Sequence, residues 1–224
     1  MSVLIKICGL KTAAALDAAL AARADLVGFV FFAPSPRNIE LAAARALGDR
    51  VASRAGKVAL SVDADDTLLA AIVEALDPDM LQLHGKETPQ RVADVKARFG
   101  RPVMKAIPVE TAADLAAASA YAGIADRVLF DARAPREATR PGGLGTPFDW
   151  RLLHDFDPAI PFMLSGGLDP ENVATALAVT RAAAVDVSSG VERAPGEKDV
   201  ERIRAFILAA RRADREPTAI ARTA

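Results

Sequence analysis

Residues 4–8 read LIKIC, inside the opening MSVLIKICGL of a 224-residue chain. Side chains alternate across a strand. Leu4, Lys6 and Cys8 therefore share one face, while Val3, Ile5 and Ile7 share the other. One face is fully apolar and suits packing on helices. The other carries a lysine and the chain's single cysteine, an odd load for a strand flanked by apolar residues.

The same design recurs along the chain. Apolar runs at 3–8, 26–32, 57–62, 79–83, 102–107, 127–131, 161–165 and 184–188 read as strands. Alanine-rich stretches with helical spacing lie at about 12–22, 39–52, 66–76, 88–99, 111–120, 149–154, 170–179 and 198–213. Strands that alternate with helices form a parallel sheet, and eight such units close into a barrel. The expectation is one α/β domain, a (β/α)8 TIM barrel of eight parallel strands over residues 1–213. Residues 214–224 lose apolar periodicity and read as a frayed C-terminal tail.

Bulk properties narrow the function. Hydrophobic residues make up 51% and charged residues 25%, within the range of soluble globular proteins. The formal net charge of −1 argues against a nucleic-acid footprint. No apolar run is long enough to span a membrane, and no signal peptide is expected. A single cysteine cannot form an internal disulfide. The cytoplasm is the expected location.

Polar residues sit where barrel strands should be dry. Gln82 and His84 share a face with Met80. Ser61 and Asp63 pair on the third strand, Lys105 lies on the fifth, Asp131 ends the sixth, and Asp186 and Ser188 share a face of the eighth. All are expected to point into the barrel, mostly near strand C-termini, where barrel active sites are built. Taken singly, each has a bland role: a core cysteine, a hydrogen-bonded histidine, a turn-capping aspartate. Burying several ionisable groups together is costly unless they are paired, and that favours a site. One cysteine and two histidines without paired spacing give no zinc set. No G-x-S-x-G stretch is present.

FMLSGGLDPENV, residues 162–173, reads as a strand, a glycine pair and a helix start, with Asp169 as N-cap and Pro170 in the first helical position. Gly166 and Gly167 let backbone N–H groups approach an anion, and Ser188, Ser189 and Gly190 add hydroxyls and N–H groups on the next strand. Loops after strands seven and eight of such barrels often seat a phosphate. The 17-residue stretch 132–148, ARAPREATRPGGLGTPF, is long for a structureless loop, which points to function.

KICGL, GFVFFAPSPR, LQLHG, the strand-six aspartate, GGLGTPFDW, LSGGLDPENV and DVSSGVE, taken in order, resemble phosphoribosylanthranilate isomerase. The likeness runs from residue 5 to about 199. It implies an Amadori rearrangement of N-(5-phosphoribosyl)anthranilate in tryptophan biosynthesis, with no cofactor or metal. By analogy Cys8 is the general base and Asp131 the general acid. Arg37 holds the anthranilate carboxylate, Asp186 contacts substrate hydroxyls, and Gly143 of the glycine-rich loop joins the phosphate site. His84 matches a motif position and lines the pocket, with no role assigned. Leu144 departs from the family's usual hydroxyl residue between glycines. Lys6 is expected to keep Cys8 ionised. The implied partner is the small-molecule substrate, with no nucleic acid or membrane, in a monomer or homodimer. Rival readings are another sugar-phosphate barrel enzyme and a non-catalytic sugar-phosphate-binding barrel.

Overall fold

The structure, a computed structural model, describes residues 2–134, 141–142, 147–154, 156 and 160–215. Eight parallel strands close in sequence order into a barrel: β1 (Leu4–Cys8), β2 (Leu26–Phe31), β3 (Gly56–Ser61), β4 (Met80–Leu83), β5 (Val103–Val109), β6 (Arg127–Ala132), β7 (Phe162–Leu164) and β8 (Ala184–Val187). The outer ring holds α1 (Ala13–Ala21), α2 (Leu41–Val51), α3 (Asp66–Leu76), α4 (Pro89–Phe99), α5 (Ala112–Ala116), α6 (Val173–Thr180) and α7 (Val200–Arg215). Among the described residues, no helix is long and apolar enough to cross a membrane.

Local chemistry sets the helix ends. Thr12, Asp65 and Thr88 accept backbone N–H bonds at the starts of α1, α3 and α4, and Pro89 opens α4. Gly100 ends α4 at φ 60°, a left-handed geometry that glycine adopts without steric penalty.

The strands sort their side chains as alternation requires. Ile5, Ile7, Val27, Phe29, Leu81 and Leu83 face the helices. Val58, Met104, Ala106, Leu129, Met163 and Ala184 fill the barrel floor with Leu4, Leu26 and Met80. Cys8 packs higher in the barrel, with Val30 and Leu60. Gly28 lies opposite Cys8 in the β1–β2 register. A Cβ there would stand 2.9 Å from Cys8 Sγ and 3.2 Å from Lys6 Cε, so the missing side chain makes room for both.

Three expectations about facing are corrected. Lys105 lies between Met104 and Ala106, which are inward residues, so Lys105 points outward. Its ammonium donates to Glu87 Oε2 at 2.9 Å and to the carbonyls of Gly85 at 2.7 Å and Leu83 at 3.2 Å. Ser61 shares a face with Ala59 of the outer core, while inward Val58 and Leu60 share the other face. Asp63 follows on the outer side: its carboxylate takes the Lys86 N–H and its own N–H donates to Glu87. Asp63 and Lys105 bind the β3 and β4 loops together through Glu87 and Lys86, while Ser61 Oγ is buried with no partner among the described residues.

Other segments also differ from expectation. Trp150–Leu153 is a 3-10 turn, not an α-helix. α6 starts at Val173; Asp169 instead caps the turn before it, accepting the N–H groups of Glu171 and Asn172. α7 continues through Asp214 and Arg215. The tail beyond it lies outside the described residues. A small hairpin, β9 (Glu192–Ala194) with β10 (Glu197–Lys198), had no strand signal in the sequence.

The Lys105–Glu87 pair is almost fully buried and should dominate the stability of these loops. Glu87→Leu strands a buried ammonium. It should lower unfolding free energy by about 3–5 kcal/mol in urea titration. A loss below about 1 kcal/mol would mean that the carbonyls alone satisfy Lys105.

Candidate active site

A solvent-open cavity of about 150 Å³ lies at the C-terminal ends of the barrel strands. Cys8, Arg37, His84, Asp131, Asp186, Gly166, Gly167, Ser188 and Ser189 all line it. Thus nine of the predicted site residues, scattered from β1 to the β8 loop, meet in one space. Gly143 and Leu144 lie outside the described residues. Gly190 does not line the cavity; a Cβ there would run into the Leu168 carbonyl oxygen, so its role in the fold is to let the two glycine loops touch.

β1 and β8 build one wall. Their register sets Lys6 directly opposite Asp186. Lys6 Nζ donates to Asp186 Oδ1 at 2.8 Å, and Ser165 Oγ donates to Asp186 Oδ2 at 3.2 Å. Burial alone would lower the lysine, but Asp186 and Cys8 together outweigh it and Lys6 is pushed up to about 12. Cys8 behaves differently from the sequence expectation. Burial pushes its thiol above the ordinary range; Lys6 and Lys198 pull the other way but do not prevail, and Asp186 opposes them. Lys6 does favour the thiolate, yet its charge is already engaged by Asp186.

β4 and β6 build the opposite wall. His84 Nε2 stands 3.2 Å from Asp131 Oδ2, and Gln82 Nε2 stands 3.0 Å from His84 Nδ1. Asp131 Oδ1 accepts the Ala132 N–H at 3.0 Å. Gly142 passes so close that a Cβ would run into Asp131 Oδ2.

The third part is a clasp that sequence analysis missed. Arg37 Nε and Nη2 each donate to one oxygen of Glu192, both at 2.8 Å. Lys198 Nζ donates to Glu192 Oε1 at 2.7 Å, to the Ser188 carbonyl at 2.8 Å and to Ser188 Oγ at 3.2 Å. Ser188 Oγ in turn donates to the Cys8 carbonyl at 3.2 Å. Burial would raise Glu192, but Arg37 and Lys198 hold its carboxyl low. Burial brings Lys198 down to about 8 despite Glu192. The two-residue strand β10 is too short to leave a periodic signal, so only the folded hairpin reveals Lys198. The clasp occupies one edge of the Arg37 guanidinium with a protein carboxylate and joins the β2 loop to the β8 loop.

Gly166 and Gly167 adopt φ 86° and 66°, the left-handed region that favours glycine. Their turn faces Ser188 and Ser189 across the cavity mouth.

Barrel and cavity together define a (β/α)8 enzyme whose site stands on the strand C-terminal face. A sequence model of the N-(5'-phosphoribosyl)anthranilate (PRA) isomerase family matches residues 5–209. The N-(5'-phosphoribosyl)anthranilate isomerase of Bradyrhizobium diazoefficiens is 64% identical over 211 residues, 94% of this chain and 95% of that protein. That of Rhodopseudomonas palustris strain BisB5 is 65% identical over 211 residues, 94% and 97% of the two chains. The crystal structure of phosphoribosyl anthranilate isomerase from Thermotoga maritima superposes with a TM-score of 0.84 at 34% identity, covering 93% of this chain and 98% of that one. A structure of a phosphoribosyl anthranilate isomerase in complex with reduced 1-(o-carboxyphenylamino)-1-deoxyribulose 5-phosphate superposes at 0.81, with 32% identity over 93% of this chain and 98% of that one. The chain belongs to the N-(5'-phosphoribosyl)anthranilate isomerase family.

The state of Cys8 is directly measurable. An unperturbed thiol ionises near pH ~8.5. With burial raising it, alkylation of Cys8 by iodoacetamide should still be accelerating between pH about 9 and 10. A rate that levels off below about pH 8 would show a resting thiolate instead.

Proposed function

We propose that this chain isomerises N-(5-phosphoribosyl)anthranilate to 1-(2-carboxyphenylamino)-1-deoxyribulose 5-phosphate in tryptophan biosynthesis. Cys8 acts as general base and Asp131 as general acid. The observation that carries the reading is one cavity with the Cys8 thiol on one wall and the Asp131 carboxyl on the other, in a chain of this family.

Asp131 delivers a proton to the furanose ring oxygen. The ring C–O bond breaks, and the anthranilate nitrogen's lone pair forms the C=N bond of a protonated Schiff base. The iminium withdraws electrons from C2′ and makes its hydrogen acidic. Cys8 takes that proton, and the C–H electrons form the C=C bond of an enolamine. Protonation at C1′ and loss of the enol proton give the ketone. Burial holds the Cys8 thiol above its ordinary range, so its ionisation must be helped before it acts. The positive charge of the Schiff base favours that ionisation, as do Lys6 and Lys198.

The substrate has two anionic ends. Arg37 serves the anthranilate carboxylate, with Glu192 fixing the guanidinium plane. Gly166, Gly167, Ser188 and Ser189 serve the phosphate, with Gly190 letting the β7 and β8 loops touch. Asp186 serves the sugar hydroxyls.

Incubation with phosphoribosylanthranilate, followed as loss of its fluorescence, tests the activity. Cys8→Ser and Asp131→Asn should each fold and each lose at least about 10²-fold in kcat. Near-normal turnover by either variant would remove that residue from the chemistry.

The phosphate seat is best probed at Ser189. Gly167 is a poor choice, since any Cβ there meets Pro147 and a positive φ. Ser188 already serves Cys8 and Lys198. Ser189→Asp should raise KM by about tenfold or more through like-charge repulsion, with kcat little changed. Inorganic phosphate should compete with substrate in the unmodified protein. Absence of competition at high phosphate would place the seat elsewhere.

A further inference from the structure

We propose that Gln82 is a positioning residue: it holds His84 in the neutral tautomer with the proton on Nε2 and aims that N–H at Asp131. The proposal rests on the reading of Asp131 as the general acid and adds to it a role for His84.

Gln82 is completely buried on the inner face of β4. Its amide Nε2 lies 3.0 Å from His84 Nδ1. An amide N–H needs a lone pair to point at, so Nδ1 carries no proton in this arrangement. The ring proton is then on Nε2, which stands 3.2 Å from Asp131 Oδ2. The second observation is the other end of the amide: Gln82 Oε1 is buried without a hydrogen-bond partner among the described residues. An unpaired buried carbonyl is a cost that a methionine of similar size would not carry. Of the two halves of this amide, the N–H is the one put to use.

The benefit appears when Asp131 gives up its proton. A carboxylate forms, and both of its oxygens already face N–H groups: Oδ1 the Ala132 N–H and Oδ2 the His84 Nε2–H. Hydrogen bonds to a charged acceptor are stronger than those to a neutral one, so both tighten as the charge develops. A doubly protonated His84 would do the opposite. It would pair with the carboxylate before substrate arrives and leave Asp131 with no proton to give. Engaging Nδ1 with a donor blocks that second protonation. Gly142 closes over both groups. Among the described residues, the other ionisable groups facing this part of the cavity are Cys8, Arg37 and Asp186 on one side and Asp63, Lys86 and Arg133 on the other. They are the same in wild type and in every variant below.

The chain has only two histidines, His84 and His154, so nitrogen NMR of the uniformly labelled protein resolves the question. A His154→Gln sample assigns the two rings. In wild type the ring-nitrogen shifts of His84 should report the Nε2–H tautomer. Gln82→Met should release the ring from that single tautomer, so that the Nδ1–H form appears. It should lower kcat by about tenfold or more with KM within about twofold. Gln82→Glu offers an acceptor to Nδ1 and should cost more than methionine does. A wild-type spectrum with the proton on Nδ1 overturns the proposal without any variant, even if Gln82→Met fails to fold. An unchanged kcat in folded Gln82→Met overturns it equally. Failure of the acid assignment shows separately, as activity in Asp131→Asn, while the spectrum reports the tautomer in either case.

Discussion

The interior of this barrel turns on one buried ion pair. Lys6 and Asp186 face each other where the first and last strands meet, and both are buried. Removing either partner would leave an uncompensated charge in the barrel, so the pair ties closure of the cylinder to its own formation. Held at about 12, Lys6 is charged in both folded and unfolded chains at neutral pH. Its stabilising contribution is complete below the unfolded lysine value of about 10.4 and is lost only as pH rises through about 12. The same pair defines the electrostatics around Cys8, two residues along the strand. Asp186 absorbs much of the lysine's influence, and burial then decides the thiol's resting state.

A second network, the clasp of Arg37, Glu192 and Lys198, shows how distant loops are made into one rim. Each member is nearly excluded from solvent. A glutamate between two cations leaves one positive charge in excess among the three, beside a cavity proposed to take a substrate with two anionic ends. The hairpin that brings Glu192 and Lys198 together also packs its Gly196 against the carbonyl of Pro36, beside Arg37. The β2 loop and the β8 loop are thus one structural unit, though 155 residues separate Arg37 from Glu192.

Much of this was legible from residue order. Inward placement of Lys6, Cys8, Gln82, His84, Asp131, Asp186 and Ser188 follows from alternation counted from apolar neighbours, and it held for each of them. It failed for Ser61, Asp63 and Lys105. There a polar residue was assumed to shun the helix-facing side, whereas Glu87 and two backbone carbonyls satisfy a lysine on that outer side. The polar-equals-inward rule breaks wherever a loop carboxylate reaches back over the strand end.

The sequence by itself determined the eight alternating units, the order of the strands and the set of residues able to reach the strand C-termini. These depend on periods of two and 3.6 residues and on local capping chemistry, which are encoded within a few neighbouring positions. Tertiary structure alone decided which charges neutralise one another. The pairings Lys6–Asp186, Arg37–Glu192 and Lys105–Glu87 span 180, 155 and 18 residues. Only the closed barrel sets those distances. The Lys6–Asp186 pairing, with burial, in turn governs whether Cys8 rests as thiol or thiolate, because burial and opposing charges act through space rather than along the chain.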